Sequence, residues 1–499
     1  LNRTSPNPQD DRDNAVLGKI VLRPHAAQRH VFTLEHVQKK SDVDLLSSRN
    51  PLPLRGTPAQ IAGAIVDEYS SRSMERNRLT WDARFGLGTD WADHVRTVVA
   101  YQDAQSRQVG TGVRNALPLR VRDTSYGEST WQAGVQADKI LRSGGWAHKI
   151  TYGLDHVRSD ISNLYTGLAP LPPEVFPLKR FPDTTESSWA LYGQDEISFG
   201  NWTITPGLRY DHFRIKADQA GFNAQAVSLS GNATSPKLGV MYQVNSDWRV
   251  FGNYAKGFRA PNAGQVNAFF ENPVGNYKTI PNPNLKPETS QNLEVGVRGR
   301  LANVSLDVAA FTGRYKDFID DLVQVGGTGR PGDPLIFQSV NRGKVNISGL
   351  EVKGRADWGR YAGIGWSTPF AWGRTQGHDT TSGEPLSSID PQRLTVGLRA
   401  DAAQWTAQLG LNYSQGKKAK DTVNPSGGTQ FLNPSATVVD LTAQWRIRKD
   451  LRLNVGLYNL TDKKVWRWSD VRGLATSSPV IDSYTQPGRS AKVTLVAEF

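Results

Sequence analysis

The 499-residue chain has no cysteine and only two methionines. Without thiols it can hold no disulfide framework, no cysteine-bound zinc and no thiol nucleophile. It also has no run of eighteen apolar residues, so no transmembrane helix can be drawn. Mean hydropathy is −0.49, a value typical of soluble proteins. That value leaves a membrane open, because a transmembrane β-barrel needs only one apolar face per strand. Basic residues give a net charge of +12, yet they are spread singly and form no patch interleaved with aromatics. A nucleic-acid partner is therefore not expected. The first residues, LNRTSPNPQDDRDN, carry neither Met nor a signal peptide, as in a mature protein or a piece of one.

Aromatics are plentiful, with 14 Trp, 15 Tyr and 17 Phe, rings suited to a water–lipid boundary. Alternation is plentiful too. In VDLTAQWRIR, Val439, Leu441, Ala443, Trp445 and Ile447 are apolar and the residues between them polar. WTAQLGLNY and LRLNVGLYN repeat the pattern from Trp405 and Leu451. A period of two with one wet face predicts half-exposed strands. About nineteen such segments run from VLGKIVLRP to AKVTLVAEF. Short turns such as RSGGWA, FGNW, NSDW and LANV alternate with long loops at 42–65, 163–186, 217–233, 262–288, 323–336, 376–389, 417–435 and 464–487. Long loops confined to one side predict an all-β, transmembrane antiparallel barrel, short turns facing the periplasm and long loops facing outside. A soluble all-β protein is the alternative, but no fixed-period repeat supports it.

The last strand, AKVTLVAEF, shows a lipid-type face ending at Phe499. If it descends, alternation makes the first visible strand (about 14–24) descend as well, leaving 1–13 as an outside loop. Single-chain barrels have even strand numbers, so at least one strand is expected to be missing from the chain.

Five ordered motifs resemble the barrel of TonB-dependent outer-membrane receptors: YAKGFRAPN (254–262), NPNLKPETSQNLEVGVRG (282–299), NISGLEVKG (346–354), LYNLTDKKVWRW (457–468) and YTQPGRSAKVTL (484–495). The nearest branch is that of haem, haemoglobin and transferrin receptors, where FRAP and NPNL boxes flank an outside loop. The resemblance implies a barrel of the 22-stranded type occupying 1–499, with the N-terminal plug and first strands absent. It further implies transport across the outer membrane, TonB engaged through that missing part, and haem or a host haemoprotein as ligand. A ferric siderophore is the alternative ligand, and a passive porin-like channel is a third reading.

In the first box Phe258 and Arg259 precede Ala260 and Pro261. Phe258 continues a strand, Arg259 is expected to bond loop carbonyls, and Pro261 ends ladder pairing by removing a donor. In the second, Asn282, Pro283, Asn284 and Leu285 favour a turn-rich return before Glu288 opens a strand. Both boxes either shape the loop or touch its ligand. Haem receptors often carry an iron-ligating histidine between these boxes, whereas this segment has none. Tyr277 is its one conventional iron ligand. Phe269 and Phe270 offer stacking surfaces for a porphyrin, and packing among loop neighbours is the alternative reading. Of the eight histidines, His25, His30, His94 and His148 fall near periplasmic turns, and His36 and His156 within strands. His212 and His378, the latter placed in an outside loop, remain for an external ligand. No catalytic constellation emerges, so no enzyme is expected. No metal site is expected either, and Asp320 and Asp321 in FIDDL read as a solvated strand end, with calcium the alternative.

Overall fold

A computed structural model describes residues 6–171, 174–273, 275–423 and 429–498. Phe499 lies outside the described residues. The strands are β1 (Gln9–Leu22), β2 (Gln28–Asp44), β3 (Ile65–Gly86), β4 (His94–Arg114), β5 (Arg120–Ser143), β6 (Trp146–Leu168), β7 (Thr184–Phe199), β8 (Trp202–Ala217), β9 (Leu229–Gln243) and β10 (Trp248–Arg259). Two three-residue strands follow, β11 (Phe270–Asn272) and β12 (Tyr277–Thr279). The wall resumes with β13 (Glu288–Leu301), β14 (Val304–Gly326), β15 (Leu335–Tyr361), β16 (Ile364–Asp379), β17 (Arg393–Asp401), β18 (Trp405–Ser414), β19 (Ala436–Arg448), β20 (Leu451–Tyr458) and β21 (Ser490–Ala497). Setting aside the two short ones leaves nineteen long strands, the number expected from alternation. Each pairs antiparallel with the next, β10 pairing β13 across the intervening loop. Among the described residues no pairing joins β1 to β21.

The connections alternate as the turn chemistry predicts. Gly144 and Gly145 both have positive φ and close β5 onto β6 in two residues, the backbone a tight hairpin demands. On the opposite side run the long loops. The five residues between Arg114 and Arg120 are an exception, short because β4 and β5 climb unusually far. Gln9–Asp13, expected in an outside loop, instead extend β1 by pairing with Lys39–Val43. The tall β2 beside them offers unpaired backbone groups, which an extended chain satisfies.

Two aromatic girdles bracket the apolar band. Near the turns Trp146 stacks on Phe199 (4.3 Å) and Trp202 meets Tyr242 (4.5 Å). Farther up, Tyr101 contacts Trp131 (4.8 Å) and Trp189 contacts Tyr210 (5.5 Å). Trp131 pairs with Arg158 of β6, so β6 crosses the band between Trp146 and Arg158. Some twelve residues at about 3.3 Å each, tilted about 40°, span roughly 30 Å, close to the thickness of a bilayer core. Outward faces in this band carry exposed Leu79, Trp131, Leu154, Leu191 and Leu208. Inward faces are polar: Arg209 bridges Asp155 (2.7 Å) and Asp211 (2.9 Å).

Candidate functional site

The segment from Gly257 to Leu285 folds as one body in the barrel mouth. Its two feet are clamped together: Arg259 donates from Nε to Glu288 Oε2 (2.7 Å) and from Nη2 to Oε1 (2.6 Å). Glu288 is buried and also accepts the Ile319 N–H at 2.8 Å. The bonds expected from Arg259 to loop carbonyls are replaced by this fork onto a carboxylate. Planar guanidinium and carboxylate groups match in two-point geometry. Phe258, just before it, stacks at 6.3 Å on Phe213.

Beyond Ala260 and the buried Pro261, Asn262 caps a single-turn helix, α1 (Ala263–Asn267). Its Oδ1 accepts the Gln265 N–H (2.8 Å), and Gln265 returns a bond to the cap, the reciprocal arrangement of a capping box. Val266 then packs with Ile215, Leu285 and Ile319 in the core of the mouth. Asn267 is 0% exposed; it accepts the Val227 N–H (2.7 Å) and donates to the Val227 carbonyl (2.9 Å). Glu186 of the wall accepts the Ala263 N–H at 2.7 Å. The NPNL box does similar work. Asn282 donates to Ser339 O (2.7 Å) and accepts the Asn284 N–H, while Pro283 and Asn284 turn the chain toward buried Leu285. These contacts tie the boxes to the loop's own architecture.

Between the boxes lies an aromatic surface. Tyr277 sits 5.8 Å from Phe270 and 6.1 Å from Phe337 by ring centroids. Its strand β12 runs parallel to the tip of β15, Tyr277 opposite Leu335. Among the described residues no hydrogen bond engages the Tyr277 hydroxyl, which leaves it available to a ligand. Phe269 instead turns edge-on to Phe222 (5.8 Å), within loop packing. Arg180 lies 4.2 Å over the Phe270 ring and, with Arg122, flanks Tyr165 at 5.3 Å. Both arginines reach Glu174 Oε1, at 2.5 Å and 2.7 Å. Tyr165, Phe270 and Tyr277 thus border a cationic, aromatic face suited to a flat anionic ligand.

The two histidines do not join it. His212 bonds Asn232 (2.7 Å) and lies 5.8 Å from Trp189, on the outward face shared with Leu208 and Tyr210. His378 belongs to strand β16, opposite Asn346, rather than to a loop. Its alternation from Trp372 turns it outward, where it lines a cavity of about 410 Å³ at the outer rim with Lys417 and Asp390. FIDDL lies within β14: Asp320 is 3.7 Å from Arg342 and Asp321 accepts from Ser339 (2.9 Å). Among the described residues no cluster of three metal-ligating side chains exists.

A second body of loops closes the other side of the mouth. Trp468, 1% exposed, donates to Ser387 O at 2.6 Å. Lys417 donates to Ile389 O (2.7 Å) and lies 5.0 Å over the Trp468 ring. Burial holds the Lys417 ammonium below its ordinary pKa; Asp421 and Asp390 oppose that shift and Arg472 adds to it. Asn267, Glu186, Arg180 and Lys417 carried no sequence signal, because each acts through a partner distant in the chain; Trp468 closes the 457–468 motif, which does not reveal its partner Ser387.

The family model for TonB dependent receptor-like β-barrels matches residues 23–460. The chain is 26% identical over 453 residues to hemoglobin-haptoglobin utilization protein B of Neisseria meningitidis serogroup C, covering 78% of this chain and 54% of that one. It is 28% identical over 334 residues to probable hemoglobin and hemoglobin-haptoglobin-binding protein 4 of Haemophilus influenzae, covering 60% of this chain and 32% of that one. The chain thus spans about a third to a half of these relatives' lengths. Among solved structures, the siderophore receptor PirA of Acinetobacter baumannii superposes with TM-score 0.72 at 17% identity, covering 99% of this chain and 72% of that one. The ferric citrate transporter FecA superposes with TM-score 0.68 at 17% identity, covering 98% and 70%. These likenesses establish the fold, and the girdled wall is an outer-membrane wall. The chain belongs to the TonB dependent receptor-like β-barrel family.

Proposed function

We propose that this barrel is the wall of a receptor that captures haem, or haem carried by a host haemoprotein, and admits it for iron acquisition. The observation that carries the reading is the docked 260–287 loop, whose Tyr277 and Phe270 form an aromatic face with Phe337 of β15 beside the Arg180 guanidinium. A porphyrin has two aromatic faces to stack and two propionates to pair, and tyrosinate is an established haem-iron ligand type. The names of the two relatives, one a hemoglobin-haptoglobin utilization protein and the other a probable hemoglobin and hemoglobin-haptoglobin-binding protein, support the same choice. Passage inward is assigned to TonB acting on a plug outside this chain; the barrel supplies capture loops and walls, with no chemical step of its own.

A ferric siderophore is the second reading. It is favoured by the absence of histidine between Gly257 and Leu285 and by the paired Arg122 and Arg180, which suit an anionic chelate. A haemin titration of the intact receptor separates the two. A saturable, shifted Soret band that survives competition by albumin supports haem; no shift together with tight ferric-siderophore binding supports the chelate. Tyr277→Ala is expected to alter the haem spectrum, and an unchanged spectrum and affinity remove Tyr277 as a ligand.

A further inference from the structure

The two arginines beside the aromatic face already hold a carboxylate. Arg122 of β5 and Arg180 of the loop after β6 each donate from Nη2 to the same Glu174 oxygen, Oε1, at 2.7 Å and 2.5 Å. Among the described residues neither guanidinium makes another hydrogen bond or ion pair, and Glu174 Oε2 accepts from neither. Arg259 does otherwise: its one guanidinium meets both oxygens of Glu288, at 2.7 and 2.6 Å. A guanidinium presents its N–H donors as a planar fork, and two-point pairing is the stronger arrangement. At Glu174 both forks stay open.

The arginine pair does not depend on that carboxylate for its place. Both guanidiniums lie 5.3 Å from the Tyr165 ring, and Arg180 also lies 4.2 Å over Phe270, so the rings hold both cations. The Arg180 backbone is fixed as well: its N–H donates to Asn163 Oδ1 (2.9 Å) and its carbonyl accepts the Phe269 N–H (3.1 Å). Just past Glu174, Leu178 exchanges both backbone bonds with Tyr165, at 2.8 and 2.9 Å. The Glu174 side chain is 11% exposed, so it fills the seat between the cations rather than pointing to water.

We propose that Glu174 is an internal competitor: its carboxylate holds the seat that a ligand's carboxylate takes, and ligand binding turns it out into solvent. The proposal rests on the aromatic, cationic face being the ligand site, a premise shared by the porphyrin and chelate readings. An incoming carboxylate gains by closing the forks that one shared oxygen leaves open. A flat molecule without a carboxylate meets a seat already filled and has nothing to offer the arginines. Glu174 thereby selects against neutral ligands of the same shape.

Carbodiimide labelling of carboxyl groups in the intact receptor, read by peptide mass spectrometry, tests the exchange. Glu174 should label weakly in the free receptor and several-fold more at saturating haemin, with no rise for haemin dimethyl ester, which lacks free carboxylates. Glu384, exposed in the loop after β16, should label equally throughout. Glu174 labelling that is unchanged or lower with haemin bound overturns the proposal. Glu174→Gln gives a second reading: haemin should bind about tenfold tighter and the dimethyl ester unchanged, because a neutral amide is a weaker partner for two guanidiniums. Weaker haemin binding would make Glu174 a clip that orients the arginines, and equal tightening in Glu384→Gln would make the gain one of overall charge; either contradicts the proposal. Ferric citrate, a carboxylate chelate with no porphyrin, separates this inference from the haem reading. If labelling rises with ferric citrate but not with haemin, the haem reading fails and the exchange stands. If haemin binds with a shifted Soret band and labelling does not rise, the haem reading stands and the exchange fails. No rise with either ligand overturns the proposal.

Discussion

Replacing Arg259 by alanine is expected to release the 260–287 loop while leaving the barrel intact. The fork onto Glu288 supplies two charge-assisted bonds at 2.6 and 2.7 Å. The Glu288 side chain is 12% exposed, so without its partner the carboxylate keeps only the Ile319 N–H. Breaking a fully buried pair costs about 3–5 kcal/mol. Arg259 is half exposed, and water takes over part of its role, which lowers the cost to about 2 kcal/mol. Because 1.4 kcal/mol is tenfold, opening of the loop should increase roughly 30-fold. Hydrogen exchange reads this at the Val266 and Asn282 amides, which donate within the loop to Asn262 O (3.1 Å) and Val266 O (2.8 Å). Peptides from β18 to β20 serve as the internal control. Exchange at 260–287 unchanged within about threefold, or a uniform rise across the barrel, would refute the clamp.

Three further outcomes are expected. Asn267→Leu leaves the Val227 N–H and carbonyl without their partner, at a cost of about 1–3 kcal/mol, and should increase protease access to 218–228; unchanged access contradicts that tie. Trp468→Ala removes a ring that is 99% buried along with its bond to Ser387 O, so the Val423 amide, held by Ser387 Oγ, should exchange more than tenfold faster; unchanged exchange refutes the shared loop body. In the 327–334 loop, the Thr328 hydroxyl and N–H hold the Asp333 carboxyl below its ordinary pKa. The order that this carboxylate imparts is fully present above about pH 4 and is lost as pH falls through the depressed value. Protection of the Thr328 amide should follow that course and should be independent of pH in Asp333→Asn, whose amide oxygen accepts without titrating, so a pH-independent wild-type profile argues against it.

Nineteen strands, their direction and the side of the long loops were legible because period two and turn residues are local properties. Glycines 144 and 145 announce their hairpin whatever surrounds it. The faces of His212 and His378 were legible too, had their phase been followed: His212 alternates with Leu208 and Tyr210, and His378 with Trp372. Height along the chain alone puts both within reach of an external ligand, but it ignores the alternation that turns them outward. Other features needed closure in space. Arg259 and Glu288 sit on different strands, and nothing near either one marks it as half of a pair. Gln9–Asp13 read as loop because they are polar, yet a strand rising past the lipid has two wet faces. Trp468 closes the 457–468 motif, and nothing in that motif marks it as the centre of a loop junction.

The most direct measurement is growth of iron-starved cells in which the full-length receptor is the only route for haem. Growth on haemoglobin or haemin that requires both TonB and the receptor, and that falls with Tyr277→Ala, is the expected result. Growth on a ferric siderophore but not on haem, or growth on haem without TonB, would contradict the proposed function.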